Sequence, residues 1–371
     1  MAAVAVAGAA AGGEEAGGAV GLRLSLHPFL YGTIDLTLLP LVVLSAAAAV
    51  SYETKSMDPG LVVMTLPEPV SGPESLAFDG SGGGPYSGVS DGRVLRSDGG
   101  LRGWTEFAYN SNQAQSVAIC APEKKLVVPE SVCGRPLGLQ FHRQSGDLYV
   151  ADAYLGLLRV PARGGLAEVV AAEAGGEPFN FLNGLDVDQK TGDVDFTDSS
   201  TTYQRSDYLL VVALGDETGR LLRYDPRARR VEVLHAGLSY PNGVAVGAGG
   251  DHVVVAHTAL CELRRYWVRG PRAGKEETFA ELPGYPDNVR ADGRGGYWVA
   301  LSKGVAIGGG SGTGVEVAPT VAVRVSPEGN VTEALDGFSF VSVSEVAERG
   351  GALWVGSVDT PYAGELRRRT K

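Results

Sequence analysis

Asn183-Gly-Leu-Asp-Val-Asp188 is one of six related hexapeptides that recur along this chain and decide its fold. Each copy places one residue, called here the lead residue, directly before a short apolar run. A second apolar run follows most copies, as in Tyr149-Val-Ala-Asp152 and Tyr297-Trp-Val-Ala300. The other copies are Glu74-Ser-Leu-Ala-Phe-Asp79, Leu137-Gly-Leu-Gln-Phe-His142, Asn242-Gly-Val-Ala-Val-Gly247, Asp287-Asn-Val-Arg-Ala-Asp292 and Ser344-Glu-Val-Ala-Glu-Arg349.

Successive lead residues are 45–63 positions apart, a spacing typical of a repeat architecture. Repeats of this period that are built from strands form radial blades rather than a sandwich. The sequence therefore predicts an all-β fold, a six-bladed β-propeller over residues 61–371. Because closure of the ring removes exposed strand edges, we expect the apolar segment 61–66 to complete the last blade.

Four of the lead residues carry hard oxygen donors: Glu74, Asn183, Asn242 and Asp287. In a propeller they converge at one end of the central channel, and Asn288 is close enough to contribute. Calcium takes six to eight oxygens from carboxylates, amides, backbone and water. The sequence thus predicts a Ca²⁺ site. The alternative is that the Asn-Gly pairs at 183 and 242 serve only as turn residues that lead into strands.

The charge of the chain excludes one class of partner. The net charge is −11, and no run of basic residues stands out. A nucleic-acid-binding surface requires such a basic patch, so we expect no nucleic-acid partner.

The amino-terminal part differs from the rest of the chain. Residues 1–25 form an Ala/Gly-rich, low-complexity leader, and residues 26–50 are mostly apolar. Its part from 36 to 50 matches the hydrophobic core of a signal peptide in length, which favours the secretory pathway. The whole segment is long enough for an uncleaved membrane anchor, although Asp35 lies inside it. A buried helix is the third interpretation. Residues 51–60 are predicted to be a linker.

Two further features agree with an oxidising compartment. Cys120 and Cys133 are close enough in sequence for a short-loop disulfide, although two unpaired buried thiols remain the alternative. Asn330-Val-Thr332 is an N-glycosylation sequon.

Several strings together resemble the plant strictosidine synthase-like family, over about residues 60–366. They are Gly72-Pro-Glu-Ser-Leu-Ala-Phe-Asp79, Cys133-Gly-Arg-Pro-Leu-Gly-Leu139, Tyr149-Val-Ala-Asp-Ala-Tyr-Leu-Gly-Leu157, Gly192-Asp-Val-Asp-Phe-Thr-Asp-Ser-Ser200, Thr218-Gly-Arg-Leu-Leu-Arg-Tyr-Asp-Pro226 and Gly284-Tyr-Pro-Asp-Asn-Val-Arg290. The resemblance implies a six-bladed propeller related to paraoxonases, gluconolactonases and adipocyte plasma membrane-associated protein. It also implies a disulfide between Cys120 and Cys133.

The resemblance carries site residues with it. The calcium ligands of paraoxonase-type proteins are matched by Glu74, Asn183, Asn242, Asp287 and Asn288. The catalytic glutamate of strictosidine synthase is replaced by Ser344, and transferring its role to Glu345 would turn the side chain to the other face of a regular strand. The histidine pair of paraoxonase hydrolysis is not matched. His257 stands where strictosidine synthase-like sequences carry glutamate.

These features lead to one preferred function and two alternatives. The preferred one is a calcium-dependent hydrolase of small-molecule esters or lactones, with His257 as the candidate base. It would work in the secretory pathway, in the vacuole, the endoplasmic reticulum lumen or outside the cell, with membrane anchoring as the alternative to a cleaved signal. The other two functions are a non-catalytic, calcium-stabilised binding propeller and a strictosidine synthase-type condensation.

Overall fold

The computed structural model describes residues 52–98, 103–110, 120, 129–302, 319–337, 339–340 and 342–367. In chain order the strands are β1 (Glu53–Ser56), β2 (Leu61–Thr65), β3 (Tyr86–Gly88), β4 (Val94–Ser97), β5 (Trp104–Tyr109), β6 (Pro136–Phe141), β7 (Leu148–Asp152), β8 (Gly156–Val160), β9 (Gly165–Leu166), β10 (Glu168–Ala171), β11 (Glu173–Ala174), β12 (Glu177–Pro178), β13 (Leu182–Val187), β14 (Val194–Asp198), β15 (Gly219–Asp225), β16 (Arg230–Leu238), β17 (Pro241–Val246), β18 (His252–His257), β19 (Glu262–Trp267), β20 (Glu276–Glu281), β21 (Tyr285–Ala291), β22 (Tyr297–Ser302), β23 (Thr320–Val325), β24 (Val331–Asp336), β25 (Val343–Arg349), β26 (Ala352–Ser357) and β27 (Tyr362–Arg367). The α-helices are α1 (Glu130–Cys133) and α2 (Tyr208–Ala213), and 3₁₀ turns cover Asp58–Gly60, Arg205–Asp207, Thr258–Leu260 and Gly270–Arg272.

The strands form six radial blades, which confirms the predicted propeller. In order, the blades are β3-β4-β5-β9, β6-β7-β8-β10, β13-β14-β15-β16, β17-β18-β19-β20, β21-β22-β23-β24 and β25-β26-β27-β2. The first strands of the second to sixth blades contact one another in turn, β6 with β13, β13 with β17, β17 with β21 and β21 with β25, so these inner strands surround the central channel. The lead residues of these five blades lie near the start of an inner strand, whereas Glu74 lies in the segment before β3, where Ala77 forms an isolated bridge with Tyr86.

The ring closes between its last and first blades. Strand β2 pairs antiparallel with β27, from Leu61 opposite Leu366 to Thr65 opposite Tyr362. This pairing confirms that segment 61–66 completes the last blade. Beside it, the Ser357 amide donates to Pro73 O at 3.0 Å. The chain therefore closes with a strand from its amino-terminal side, which leaves the last blade with a full set of four strands.

The predicted linker of residues 51–60 is wrong for the part that the structure describes. Strand β1 pairs parallel with β24 and adds a fifth strand to the fifth blade. All four of its side chains are exposed, so it lacks the apolar alternation that signals a strand. Met57, directly after it, is fully buried against Trp298, Leu335 and Phe340. The segment thus belongs to the packed propeller.

The hydrophobic core is divided among the gaps between blades. Val254 and Leu263 of the fourth blade pack against Val299 and Val323 of the fifth. Equivalent apolar groups fill the gaps between the other neighbouring blades. Because side chains alternate along a strand, each strand can fill the gaps on both of its faces. This packing holds the inner strands, and hence the lead residues, at fixed positions around the axis.

A disulfide and the amino-terminal segment complete the comparison with sequence. Cys120 and Cys133 are bonded to each other, so the predicted pair is confirmed. The predicted leader and hydrophobic segment, residues 1–50, lie outside the described residues. Within the described part of the chain, no helix has the length and apolar character needed to cross a membrane.

Candidate metal centre at one end of the channel

A β-bulge interrupts the start of the inner strands. The pairing of β21 with β22 shifts between Pro286 and Val289, and comparable shifts occur in β6, β13, β17 and β25. In a bulge two residues oppose one on the partner strand, so the strict alternation of faces is lost. Both residues of the pairs Asp287/Asn288 and Ser344/Glu345 are therefore able to reach groups near the axis.

Hydroxyl groups at the end of each second strand orient the lead asparagines. Asn183 Nδ2 donates to Ser199 Oγ at 3.1 Å, and Ser199 Oγ donates to Pro241 O at 2.8 Å. One blade further on, Asn242 Nδ2 donates to Thr258 Oγ1 at 3.2 Å, and Thr258 Oγ1 donates to Pro286 O at 2.7 Å. Each hydroxyl has a single proton, which it gives to a carbonyl, so it must accept from the amide.

This arrangement fixes which amide atom faces each hydroxyl. The NH₂ groups of Asn183 and Asn242 are held by Ser199 and Thr258, so their Oδ1 atoms point away from these partners. Asn242 Oδ1 is buried, and no described residue donates a hydrogen bond to it. A buried acceptor without a donor costs about 1–3 kcal/mol. A cation would satisfy this atom.

The two lead carboxylates are buried beside the lead asparagines. Glu74 is 1% exposed; its Oε1 accepts from Asn288 Nδ2 at 2.9 Å, and its Oε2 receives no hydrogen bond from the described residues. Asp287 Oδ2 accepts from Ser302 Oγ at 3.0 Å, and Asn242 also lies within hydrogen-bonding reach of this carboxylate. These contacts link lead residues of the first, fourth and fifth blades.

Burial strongly disfavours the charged forms of both carboxyl groups. It raises the pKa of Asp287 to about 7, and the Glu345 carboxylate acts in the same direction. Burial, followed by repulsion from Asp287 and Glu345, raises the pKa of Glu74 well above its usual value. Acidic groups that repel each other in a buried site are stabilised by a divalent cation, which supplies the missing positive charge.

The donor set fits a calcium ion. It combines two carboxylates with two amide groups whose orientation is fixed, and Glu74 Oε2 and Asn242 Oδ1 are acceptors without donors. In the part of the chain that the structure describes, no three His, Cys, Asp or Glu side chains form a metal-binding group. The set contains no histidine or cysteine, and carboxylate and amide oxygens are ligands that calcium prefers.

Asn288, the fifth predicted ligand, is also held through its amide nitrogen. Its Nδ2 donates to Glu74 Oε1 at 2.9 Å and to Ser75 Oγ at 3.3 Å. The amide therefore presents its nitrogen to the lead carboxylate. This contact positions Glu74 and leaves its Oε2 directed elsewhere.

A polar network that sequence reasoning missed fills the channel beyond the lead residues. Arg290 donates to both Glu345 oxygens, at 3.0 and 2.9 Å from Nε, and to Ser75 Oγ at 2.9 Å from Nη2. Ser75 Oγ lies 3.2 Å from Glu345 Oε2. Glu345 is thus fully buried beside the axis, which the predicted alternation with Ser344 had excluded. The bulge in β25 is the reason.

Ser344 and Leu137, the lead residues without a hard donor group, have structural contacts. Ser344 Oγ donates to Glu74 O at 2.8 Å and so joins the sixth blade to the first. Leu137 packs in an apolar group with Phe181, Val211 and Tyr240. Because Tyr240 lies two residues before Asn242, this group forms an apolar wall beside that lead residue.

His257, the candidate base, lies in a closed hydrogen-bonded setting. It is 1% exposed; Nδ1 donates to Ser239 O at 3.1 Å, and Nε2 accepts from Tyr266 Oη at 2.8 Å. Burial lowers its pKa to about 4. The Tyr266 ring packs between the third and fourth blades. Both ring nitrogens of His257 are thus engaged by Ser239 and Tyr266, and neither is hydrogen-bonded to a lead residue that the structure describes.

Sequence comparison places the chain among plant proteins. The family model described as strictosidine synthase matches residues 183–271. Strictosidine synthase-like protein 10 of Arabidopsis thaliana is 43% identical over 321 residues, which cover 79% of this chain and 84% of that protein. Strictosidine synthase-like protein 11 of the same plant is 40% identical over 333 residues, covering 88% of this chain and 96% of the relative.

Solved structures show the same fold at low identity. A gluconolactonase from Xanthomonas campestris has a TM-score of 0.57 and 16% identity, with 83% of this chain and 89% of that chain covered. Regucalcin, a calcium-binding protein from Agrobacterium tumefaciens, has a TM-score of 0.53 and 15% identity, with 85% and 93% covered. At this identity the structural likeness establishes the fold, and the identity to the plant proteins establishes the family: the chain belongs to the strictosidine synthase-like family.

Proposed function

We propose that this protein is a calcium-dependent hydrolase of small-molecule esters or lactones. The observation that carries the proposal is the pair of buried, donor-free oxygens, Glu74 Oε2 and Asn242 Oδ1, together with the raised pKa values of Glu74 and Asp287, which a bound cation would lower. Structural neighbours that include a gluconolactonase and a calcium-binding regucalcin support the same class of chemistry.

In this function the lead residues would hold the ion and the apolar wall would bind the substrate. Glu74 and Asp287 would bring negative charge to the ion, and Asn183 and Asn242 would add amide oxygens that Ser199 and Thr258 hold in place. A bound calcium ion supplies Lewis-acid polarisation of an ester or lactone carbonyl. The apolar wall around Leu137 and Phe181 would take the hydrocarbon part of the substrate and exclude water from that side.

A chelation assay tests this function. The full chain is assayed on phenyl acetate and simple lactones, with EDTA and after Ca²⁺ is restored. We expect turnover that EDTA abolishes and Ca²⁺ recovers, and that Asp287→Asn reduces. Glu328→Gln, which changes an exposed carboxylate in the turn between β23 and β24, is the matched control. Turnover that EDTA leaves unchanged, or no turnover on any of these substrates, contradicts the proposal.

A non-catalytic propeller is the second candidate, since both ring nitrogens of His257 are engaged by Ser239 and Tyr266 and no histidine is hydrogen-bonded to a lead residue in the described part of the chain. It predicts that calcium raises the thermal stability without any turnover. The condensation reaction is disfavoured, because Glu345 is already paired with Arg290 and its carboxylate is not free to take a proton from a substrate. If the protein forms no product when it is incubated with tryptamine and secologanin, the condensation reaction is ruled out.

The secretory location belongs to the same proposal. The Cys120–Cys133 disulfide supports an oxidising compartment such as the endoplasmic reticulum lumen, the vacuole or the cell exterior. Asn330 lies exposed in the turn between β23 and β24, where a glycan would not disturb packing. Digestion with a glycosidase that removes N-linked glycans should change the mass of the native protein, but not that of an Asn330→Gln variant.

A further inference from the structure

The channel has a second polar cavity at the end opposite to the lead residues. This distal cavity has a volume of about 340 Å³. Its floor consists of residues that lie three positions after a lead residue, Gln140, Asp186 and Arg290. Glu345 and Ser75, both bonded to Arg290, lie between this floor and the candidate metal centre, so the two ends are separate sites.

The rim of the distal cavity carries positive charge that the protein does not neutralise. Arg143, Lys190 and Arg349 line it, and no carboxylate of the described residues forms an ion pair with any of them. The acidic groups at the same rim are already matched, Asp188 by Arg269 and Glu348 by Arg294 at 2.6 Å. Cations that face a concave surface without counter-charges attract an anion.

The floor offers a different chemistry from the rim. Asp186 is half-buried, and its Oδ1 accepts from Gln140 Nε2 at 3.1 Å while its Oδ2 accepts from the Val246 amide at 2.9 Å. Oδ1 also accepts from the Val187 amide at 2.8 Å, whereas Oδ2 has a single donor and can accept a further hydrogen bond from a ligand hydroxyl. Between floor and rim, the walls include Ala77, Ala291 and Ala347, which leave room for an apolar ligand body.

We propose that the distal cavity is a second ligand site, for a small hydroxylated organic acid. Its carboxylate binds the guanidinium groups of Arg143 and Arg349 at the rim, and its hydroxyl donates to Asp186 at the floor. The Arg349 guanidinium carbon lies 5.9 Å from the centroid of the Phe78 ring, within reach of a cation–π contact, and a guanidinium pairs with a carboxylate through two parallel hydrogen bonds. Lys190 adds charge without directional pairing.

Calorimetric titration with 4-hydroxybenzoate tests this site. The full chain is titrated in EDTA, so that no calcium at the other end of the channel can bind the carboxylate. We expect saturable binding with a Kd of about 1 mM or below. The neutral analogue 4-hydroxybenzyl alcohol should bind at least about tenfold more weakly, because it lacks the carboxylate. Benzoate, which lacks the hydroxyl, should also bind more weakly.

Variants locate the binding. Arg349→Gln and Arg143→Gln should each weaken 4-hydroxybenzoate about tenfold, since each removes a charged hydrogen-bond donor. Arg227→Gln, in the turn between β15 and β16 and outside the cavity, should bind like the unchanged protein. Arg143 is exposed, so Arg143→Gln should fold normally. It therefore still tests the site if Arg349→Gln fails to fold. No saturable binding, or an affinity in both rim variants equal to that of the unchanged protein, overturns the proposal. Because calcium is absent, this result is independent of the proposed hydrolase.

Discussion

At the scale of single residues, the buried carboxylate of Asp287 lowers the stability of the metal-free protein and raises its affinity for a cation. Burial raises its pKa to about 7, so above that pH the folded protein must hold a charge that the unfolded chain carries at lower cost. Asp287→Asn removes the charge and keeps an oxygen for Ser302. In EDTA at pH 8 we expect the variant to be more stable to urea, by roughly 1–3 kcal/mol. With calcium, it should gain less stability than the unchanged protein.

The two halves of this prediction are separable. Urea unfolding in EDTA measures the electrostatic cost alone, and the same titration with calcium measures the contribution of the ion. Glu328→Gln is again the control, because this exposed carboxylate should change neither value. An Asp287→Asn variant that is less stable in EDTA would show that the carboxylate is stabilised by protein groups and needs no cation.

His257 makes the fold sensitive to acid. Its pKa is about 4 in the folded protein and about 6.5 in an unfolded chain. Between these two pH values the unfolded state binds a proton that the folded state does not bind. The free energy of unfolding is therefore highest above pH 6.5 and falls as the pH drops towards 4. His257→Gln stays neutral throughout. Between pH 7 and pH 4 we expect the unchanged protein to lose about 3 kcal/mol more stability than this variant.

The measurement is urea unfolding across that pH range in EDTA. Gln can donate to Ser239 O and accept from Tyr266, so the fold should persist at pH 7. His142, which is more exposed and lies outside the core, provides the matched control His142→Gln. Parallel pH profiles for the His257→Gln variant and the unchanged protein would contradict the closed setting described for this histidine.

At the scale of elements, the end of the second strand in each blade determines how a lead amide points. Thr258→Val removes the hydroxyl that accepts from Asn242 and donates to Pro286 O. We expect a loss of about 1–3 kcal/mol in stability and a weaker calcium affinity, because the amide is free to rotate. Thr258→Ser keeps the hydroxyl and should restore both. Calcium titration by calorimetry measures the affinity, and equal affinity in Val and Ser variants would contradict this role.

The elements also show what sequence could and could not predict. The lead residues can be predicted because they recur in register before apolar runs. Their oxygen-bearing side chains in turn indicate a metal site. Ser199 and Thr258 were missed because they follow the second strand and share no residue type. Glu345 was assigned to the wrong face because a bulge leaves no mark in the apolar pattern of β25. Strand β1 was missed because its side chains are all exposed.

At the scale of the whole molecule, the amino-terminal segment contributes to ring stability. Met57 is fully buried between the fifth and sixth blades, in a segment that sequence alone indicated to be a linker. Met57→Ala should cost about 2–5 kcal/mol, because it leaves a cavity against Trp298 and Phe340. Met64→Ala, on the partly exposed face of β2, is the matched control and should cost less. Urea unfolding measures the stability of both variants. If Met57→Ala is as stable as the unchanged protein, the segment before β2 acts as a linker after all.

The propeller was predictable as a whole because its period, its closing strand and its inner-strand motif each repeat or pair across the chain. The distal cavity was not, since Arg143, Lys190 and Arg349 come from three separate blades and follow no shared pattern. Its existence depends on how the turns that follow inner strands approach one another, which only the folded ring determines. Sites made of repeated positions are visible in sequence, whereas sites made of unlike positions appear only in three dimensions.

The central claim is that one cation joins the lead residues of different blades. A crystal structure of the protein grown with CaCl₂ tests it most directly. We expect a calcium ion bound to Glu74 Oε2 and Asn242 Oδ1, the two donor-free oxygens, with Asp287 and Asn183 completing its protein ligands. The ligand distances should be about 2.3–2.6 Å. A structure with calcium present in solution but with these oxygens bound only to water or to protein donors would contradict the account.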